Sequence, residues 1–481
     1  MVEYKVVFRN VGIALLLSAI FMALSTVVAA FNNFDSSFIP LLLSTSITTV
    51  VAILPLPFTK RGGEINLKGG FVIALFAWIL SCIVGALPYL FWGGHFSLLN
   101  AWFESVSGYT TTGASILTDV EALPKGLLFW RSSTLWLGGM GVVLFMLLIL
   151  PTVGTNRLRL SKVEISSLSR ENFKFKVKEK VRIIAVVYLS LTLVETALLY
   201  LAGLNLFDSI NLAFATISTG GFSTKNLSIA SFDSAAVEII LMVFMLLSGI
   251  HYGLLYATFK GEPKSLLSSS LLKFFLITLI IGALTLSFIV KGGGGDISWS
   301  EAFREGFFQS ISAVTTTGFA TSTKSTLPPF SLLILLYFIL QGSCAGSTTG
   351  GLRVDRVFIF FTSIKREVKK ILHPNAVIPV KIDGHTLERE SLNSVNLYIT
   401  LYLFSIFFSA ALLSATGMEI KLSLSTSAVT MGNVGFIPIE GGIEYHLLPP
   451  LSKVVLTFQM LLGRLEIYPF LLIFTIFRRR Y

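Results

Sequence analysis

Four short segments rich in threonine and glycine recur along the chain with the same internal spacing. Each begins with a small residue and ends at a glycine, and the segments are 105–113, 213–221, 310–318 and 427–435. The terminal glycines, called anchor glycines below, lie 108, 97 and 117 residues apart. One Thr-Thr-Gly turn would be ordinary loop punctuation, but four copies at matched offsets indicate an internal repeat.

Backbone carbonyls in such turns could replace the hydration shell of a cation, and threonine hydroxyls could add further ligands. Glycine reaches backbone angles that turn a carbonyl inward without a Cβ clash. No Asp or Glu recurs at these positions, which favours a monovalent over a divalent ion. We therefore predict a four-part cation filter. Its candidate ligands are Thr111, Thr112, Gly113, Thr219, Gly220, Gly221, Thr316, Thr317, Gly318, Asn433, Val434 and Gly435.

Each segment needs an element that holds it at membrane depth. An apolar or amphipathic stretch of about 11–15 residues precedes each anchor glycine, which is too short to span a bilayer and fits a re-entrant helix. We predict N-caps for three of these helices at Ser97, at Asp208, and at Ser298 or Ser300. Glu301 would then lie in a first turn, where a carboxylate complements the helix dipole.

The composition requires a membrane around these helices. Apolar residues make up 53% of the 481 residues and charged residues 13%, with a mean hydropathy of +0.79. Soluble domains have about 25% charged residues, and intrinsic disorder needs low hydrophobicity, so both classes are excluded. Ten stretches are predicted to span the bilayer. They are 11–31, 38–58, 70–92, 127–150, 183–203, 235–259, 266–290, 330–361, 395–415 and 454–477.

The predicted fold is an all-α polytopic membrane protein. It has four parallel helix–pore-helix–helix repeats around a pseudo-fourfold pore, plus two extra N-terminal transmembrane helices. The chain divides into the two leading helices, pore repeat one, a cytoplasmic hairpin with repeat two, repeat three with a broken second helix, and a cytoplasmic loop with repeat four. The sections are 1–58, 59–155, 156–260, 261–361 and 362–481.

The net charge of +11 is distributed unequally between the two predicted sides of the membrane. With the N-terminus inside, the inner segments hold 28 of the 37 Lys and Arg residues. This positive-inside asymmetry predicts a cytoplasmic N-terminus in a multi-pass protein of the cell (inner) membrane. It explains the basic excess through lipid contact rather than through nucleic acid, which we do not expect as a partner. The basic loop 151–182 is predicted to be a cytoplasmic hairpin or a docking surface.

Two features break the rule that mid-membrane residues are apolar and helical. One is a Gly/Ser/Thr-rich loop inside the eighth span, and the other is an arginine in the last span. They could form a gate below the filter, or they could be a packing bend and a structural ion pair. The candidate gate residues are Gly342, Gly346, Ser347, Thr348, Thr349, Gly350, Gly351 and Arg464.

Other polar residues carry weaker expectations. Arg131 opens the fourth span, where snorkelling to the outer face would explain it. For Glu195, inside the fifth span, a structural partner and a functional role remain equally open. Cys82 and Cys344 form no disulfide framework or Cys-x-x-Cys metal site. Since no cluster of His, Asp, Glu or Cys suggests catalysis, we expect no enzyme and no organic cofactor.

The four segments, the two extra spans and four further motifs resemble the Trk/Ktr/HKT superfamily of potassium transporters, and within it the TrkH branch. The motifs are residues 129–141, 342–353, 373–380 and 462–466. The resemblance implies a potassium-selective permeation subunit with one ion pathway per chain. It also implies a homodimer on a cytoplasmic ring of nucleotide-binding regulatory subunits of the TrkA type. Arg464 would be the pore arginine of this family.

Two departures and two alternatives stay open. Phe436 stands where the family often has proline, and Arg353 stands where it commonly has lysine, which affects gating detail more than permeation. A secondary transporter of a small solute would show inverted repeats, whereas these repeats are parallel. Sodium permeation or sodium/potassium symport is the alternative within the family, and glycine at all four anchors favours potassium by resemblance.

Overall fold

The computed structural model describes residues 4–59, 67–149, 177–293, 297–321, 328–376, 378–435, 444–468 and 470–471. Two leading helices, α1 (Tyr4–Phe31) and α2 (Phe38–Ile53), pack against each other. The first repeat follows as α3 (Leu67–Trp92), α4 (Leu98–Tyr109) and α5 (Lys125–Ile149). Helices α1 and α2 both contact α3 and α5, so the leading pair lies beside the first repeat.

The other three repeats also have a long helix, a short helix and then a further helix, which is bent in the second repeat and broken in the third. The second has α6 (Val177–Leu201), α7 (Leu206–Ile217), α8 (Ala235–Gly249) and α9 (Tyr252–Phe259). The third has α10 (Pro263–Ser268), α11 (Ser270–Gly292), α12 (Trp299–Val314), α13 (Pro329–Gln341) and α14 (Val354–Leu372). The fourth has a hairpin of β1 (Lys381–Ile382) and β2 (His385–Thr386), then α15 (Arg389–Ala415), α16 (Ile420–Met431) and α17 (Pro450–Leu465).

Within the described ranges, five helices are long and apolar enough to cross a membrane, or six if the bent pair α8–α9 is one span. Each of the ten predicted spans overlaps at least one of the helices above, and 235–259 and 330–361 correspond to pairs of them; residues 150, 469 and 472–477 of these spans lie outside the described ranges. Six of the spans correspond to the five long helices and the bent pair. The other four coincide with the shorter α2 and α17, with the broken pair α13–α14, and with α5, which reaches the end of a described range. The chain is therefore a multi-pass membrane protein.

The short helices α4, α7, α12 and α16 are called pore helices below, and the first three begin at residues whose side chains cap them. Ser97 and Ser298 cap the first and third as predicted, and Glu301 completes a capping box with Ser298. The prediction of Asp208 as a cap is wrong, because Asn205 caps the second pore helix and accepts from the Asp208 N–H at 2.8 Å. Asp208 is instead in the first turn, where its charge favours the helix N-terminus.

Glycines in α5 allow this helix to pass close to two pore helices. A Cβ at Gly138 would clash with the carbonyl oxygen of Tyr109, the last residue of α4. A Cβ at Gly139 would lie 2.5 Å from the Tyr188 hydroxyl and 3.0 Å from Ser218, the residue after α7. Small residues permit this close helix packing where lipid supplies no hydrophobic driving force. Helix α5 thus fixes the ends of the first two pore helices.

Candidate ion filter and gate

Each pore helix ends four residues before its anchor glycine, at Tyr109, Ile217, Val314 and Met431. A four-residue turn follows in every case, and we call these filter turns: 110–113, 218–221, 315–318 and 432–435. In each turn, the N–H of the residue before the anchor donates to a carbonyl of the pore helix five residues back. The bonds are Thr112 to Ser107, Gly220 to Ala215, Thr317 to Ser312 and Val434 to Val429, and all four measure 2.9 Å.

The filter turns also share an unusual backbone conformation. The residue two before each anchor is left-handed, with φ of 52° at Thr111, 56° at Thr219, 55° at Thr316 and 53° at Asn433. This region is uncommon for residues other than glycine, above all for β-branched ones. Each such residue costs about 1–3 kcal/mol and persists where the surrounding structure imposes it, typically at functional sites. The repetition therefore marks a geometry that the fold enforces four times.

The anchor glycines bring neighbouring filter turns together in chain order. A Cβ at Gly113 would clash with the Gly220 carbonyl, and one at Gly221 would clash with the Thr317 carbonyl. A Cβ at Gly435 would clash with the backbone of Gly113. Turn one therefore contacts turns two and four, and turn two contacts turn three. Side chains at these anchors would force the turns apart, so glycine is required by the close approach itself.

The residues of the filter turns are buried except Gly113 and Gly221, which are partly exposed, and the side chains around them pair with one another. Thr112 Oγ1 lies 2.8 Å from Thr110 Oγ1, Thr317 Oγ1 lies 2.9 Å from Thr315 Oγ1, and the Asn433 amide donates to Thr112 Oγ1 at 3.1 Å. Among the described residues, no donor bonds the carbonyls of 111–113, 219–221, 316–318 or 433–434. Buried carbonyls normally have partners, so these oxygens are available to an ion.

The gate loop, residues 342–353 between α13 and α14, lies against the ends of the pore helices. Ser343 Oγ donates to the Val314 carbonyl at 2.8 Å, and Thr348 Oγ1 donates to the Ile217 carbonyl at 3.0 Å. The Gly350 N–H donates to Thr316 Oγ1 at 3.0 Å. The predicted break in the eighth span is therefore present as a non-helical segment with turns, which bonds the pore helix of repeat two and the pore helix and filter turn of repeat three.

Arg464 is buried and binds the gate loop. Its Nη1 donates to the Thr348 carbonyl at 2.6 Å, and its Nη2 donates to the Gly138 carbonyl at 3.0 Å. Its Nε has no partner in the described ranges. The alternative of an ion pair applies to Glu466 instead, whose carboxylate lies 3.0 Å from Arg353 and 2.7 Å from Arg356. Arg464 thus links the loop to α5 through carbonyls.

A second break, between α8 and α9, was missed by the sequence analysis, which treated 235–259 as one span. The two helices bend by 105° there. The gate loop fills the bend, because the Cys344 N–H donates to the Gly249 carbonyl at 3.1 Å and the Tyr252 N–H donates to the Gly346 carbonyl at 3.3 Å. The Gly249-Ile-His-Tyr-Gly253 sequence was the available signal.

The structure also places two charged residues, Arg131 and Glu195, for which the sequence supported only weak expectations. The prediction that Arg131 snorkels is wrong, because its side chain is buried and its Nε lies 2.7 Å from Glu104 Oε1. Glu195 is buried, and its carboxylate oxygens have no hydrogen-bond partner in the described part of the chain. Phe436 and residues 151–176 of the basic loop lie outside the described residues.

Comparison with known proteins agrees with this architecture. The family model TrkH, described as a cation transport protein, matches residues 41–479. The Trk system potassium uptake protein TrkH of Escherichia coli K12 is 33% identical over 87% of each chain, and the Salmonella typhimurium protein is 31% identical over 98% of this chain and 99% of that one. The crystal structure of the potassium transporter TrkH from Vibrio parahaemolyticus matches with a TM-score of 0.90 and 30% identity, covering 99% of this chain and 100% of that chain. The chain belongs to the TrkH family of cation transport proteins.

Proposed function

We propose that this protein takes up potassium through a channel-like pore in the cell membrane. The observation that carries the proposal is the set of carbonyls in the four filter turns that no donor in the described ranges bonds, in turns that are largely buried and that adjoin in chain order. Carbonyl oxygens of this kind replace the hydration shell of a permeating cation. The names of the relatives, which are potassium uptake proteins, support potassium as the cargo.

The charge at the filter suits a monovalent cation. Each pore helix ends at its filter turn, so the partial negative charge of the helix C-terminus lies beside the candidate ligands. The described part of the filter turns contributes no carboxylate, and Asn433 takes the place that threonine has in the other three. The attraction is therefore spread over dipoles, which favours a weakly held potassium ion over a divalent ion.

The gate is proposed to be the gate loop together with Arg464. The loop is bonded to the ends of pore helices, and Arg464 holds its Thr348 carbonyl. A buried positive charge opposes cation passage by Coulomb repulsion, which is about 4 kcal/mol at 4 Å with an effective dielectric constant of 20. If the loop moved, Arg464 would lose the hydrogen bond to the Thr348 carbonyl that holds its side chain in place.

The proposed assembly rests on the family resemblance of the sequence and not on contacts of this chain. We propose a homodimer in the cell (inner) membrane with its N-terminus in the cytoplasm. A cytoplasmic ring of nucleotide-binding regulatory subunits of the TrkA type would bind the inner face. The transported ion is potassium, and the proposal includes no organic cofactor. The surrounding lipid would contact the exposed apolar side chains of the spans.

Reversal potentials in liposomes under mixed potassium and sodium gradients test the proposal. We expect the reversal potential of the reconstituted protein to follow the potassium gradient and to stay nearly constant when sodium is varied. Protein-free liposomes are the control. A reversal potential that follows sodium would establish sodium permeation instead, and transport without measurable current would point to electroneutral exchange.

A further inference from the structure

Glu104 lies in the first pore helix with its carboxylate buried behind the first filter turn. It accepts from Ser115 Oγ at 2.9 and 3.2 Å and from the Ile116 N–H at 3.0 Å. Ser115 and Ile116 belong to the chain that leaves the filter, two and three residues after Gly113. The carboxylate therefore ties the outgoing chain of turn one to the helix that precedes it.

Arg131 in α5 extends this contact to the second filter turn. Its Nε lies 2.7 Å from Glu104 Oε1, and its Nη1 donates to the Ser223 carbonyl at 3.2 Å. The guanidinium plane also lies over the Phe222 ring, with Cζ 3.8 Å from the ring centroid. Phe222 and Ser223 directly follow the second anchor glycine. One buried ion pair thus holds the outgoing chains of two adjacent filter turns.

The other repeats hold their outgoing chains by neutral or local bonds. In repeat two, Thr224 Oγ1 donates to Asp208 at 2.6 Å within the same repeat. In repeat three, Ser312 Oγ donates to the Phe319 carbonyl at 2.8 Å. In repeat four, the Tyr445 hydroxyl donates to the Gly435 carbonyl at 3.0 Å. Among the described residues, a charged bridge between two filter turns occurs at the junction of repeats one and two.

We propose that Glu104 and Arg131 are positioning residues that set ion selectivity by fixing the spacing of filter turns one and two. This inference rests on the proposed function. The planar guanidinium makes two directed hydrogen bonds and one ring contact at once, which a lysine ammonium cannot reproduce. Burial keeps these bonds strong and leaves them unscreened by salt. Loosening them would let two of the four carbonyl sets adapt to the smaller sodium ion.

The variant that separates positioning from charge balance is Arg131→Lys. It keeps the positive charge next to Glu104 but loses the bond to Ser223 and the contact with Phe222. A second variant, Ser115→Ala, removes one hydroxyl from the carboxylate and leaves both charges in place. The matched control is Glu121→Gln, which breaks the exposed Lys225–Glu121 pair, 3.2 Å long, between the same two outer loops.

Purified variants are reconstituted in liposomes, and potassium-to-sodium permeability ratios are taken from reversal potentials, with thermal unfolding measured in parallel. We expect Arg131→Lys to lower the ratio about fivefold, equivalent to roughly 1 kcal/mol, and Ser115→Ala to lower it by a smaller factor. Glu121→Gln should leave the ratio at the wild-type value. A changed melting temperature with an unchanged ratio would assign the pair a structural role and overturn the inference.

Two outcomes distinguish this inference from the proposed function. A wild-type protein without potassium selectivity would refute the proposed function before any variant is compared. A selective wild-type protein whose ratio is kept in folded Arg131→Lys and in Ser115→Ala would refute the positioning role alone. If Arg131→Lys does not fold, the ratio of Ser115→Ala decides, because that change leaves the ion pair intact.

Discussion

The filter turns repeat one backbone geometry four times, whereas the gate loop beneath them is made of contacts that each occur once. In the filter, the same hydrogen bond recurs at 2.9 Å in all four repeats. In the gate layer, Ser343 bonds the end of α12, Thr348 bonds the end of α7, and Arg464 bonds the loop from α17. We call the four filter turns the symmetric layer, and the gate loop with Arg464 the asymmetric layer. The two layers are in direct contact.

The roles proposed for the two layers would account for this difference. A filter made of backbone carbonyls replaces the hydration shell of an ion with a ring of oxygens, and four similar turns would supply such a ring. A gate needs one element with two arrangements that differ by a few kcal/mol, and a single loop can move without moving the ring. Asymmetry is therefore tolerated below the filter, and within the filter it is confined to positions such as Asn433, whose amide bonds Thr112.

The largest expected effect comes from breaking the asymmetric layer at Arg464. Arg464→Ala removes the buried positive charge and frees the Thr348 carbonyl of the gate loop. Because about 1.4 kcal/mol of barrier is a factor of ten in rate, losing even part of the repulsion should raise uptake at least tenfold. The measurement is rubidium uptake into liposomes without regulatory subunits. Selectivity should hardly change, since the filter turns stay in place.

Arg464→Lys serves as the control for charge. Lysine keeps a positive charge at this depth but cannot bridge the Thr348 and Gly138 carbonyls in the same planar geometry. Uptake between those of wild type and Arg464→Ala would assign part of the barrier to charge and part to the loop contact. A folded Arg464→Ala protein with wild-type uptake would show that the gate lies elsewhere.

A smaller effect, in selectivity rather than rate, is expected from breaking the symmetric layer at Gly113. Gly113→Ser adds a Cβ that clashes with the Gly220 carbonyl, at a φ of +77° that disfavours a side chain. The potassium-to-sodium permeability ratio should fall about fivefold, or roughly 1 kcal/mol, as judged from reversal potentials. Total flux should change less than it does in Arg464→Ala.

The matched control is Gly93→Ser. Gly93 also has a positive φ, +79°, but a Cβ there would meet nothing within 4 Å. The backbone strain is therefore similar, and the steric conflict inside the filter is absent. Equal losses of selectivity in both variants would mean that backbone strain at a distance, and not the contact between turns, explains the result.

The symmetric layer was the part that the sequence could predict. Repetition of threonine and glycine at fixed offsets identified the filter turns, and the short apolar or amphipathic stretch before each of them identified the pore helices. The broken eighth span was also predicted correctly, because Gly342 to Gly351 interrupt an apolar stretch with flexible and polar residues. The assignment of the filter and gate residues to ion binding stays a prediction, as does the division into five sections.

The contacts that occur only once in the molecule, such as those at the α8–α9 bend and between Arg131 and Glu104, could not be predicted from the sequence. The bend between Gly249 and Tyr252 lies in an apolar stretch without proline, and the gate loop, about 90 residues away, stabilises it. Arg131 and Glu104 are separated by 27 positions, and a charge near a span end has a simpler explanation in snorkelling. Such pairs depend on how helices pack, which no local pattern encodes.

The junction of repeats one and two also has a solvent-exposed contact, whose expected effect is the smallest. The Asn226 amide donates to Asp119 at 2.8 Å and the Asn226 N–H donates to Glu121 at 3.2 Å, while the Val120 N–H donates to Asn226 Oδ1 at 2.7 Å. These bonds from Asn226 lower the pKa of both carboxyls below their ordinary values, and Lys225 adds to the effect at Glu121.

A carboxyl whose pKa is lower in the folded state contributes stability above its unfolded pKa, and that stability is lost as the pH falls through the folded pKa. With unfolded values of about 3.9 for Asp and about 4.3 for Glu, the contact between the outer loops should be unchanged from pH 5 to 8 and should weaken below about pH 4. Carboxyl-carbon NMR titration of Asp119 and Glu121 measures this directly. Asn226→Ala removes the side-chain amide and should move the Asp119 midpoint up towards its ordinary value, while uptake at neutral pH stays at the wild-type level. The Glu121 midpoint should move less, because its bond comes from the Asn226 backbone N–H, which alanine keeps. Unshifted midpoints in the wild-type protein would show that the outer contact does not form in solution, and the buried Glu104–Arg131 pair would then be the charged connection between these two repeats.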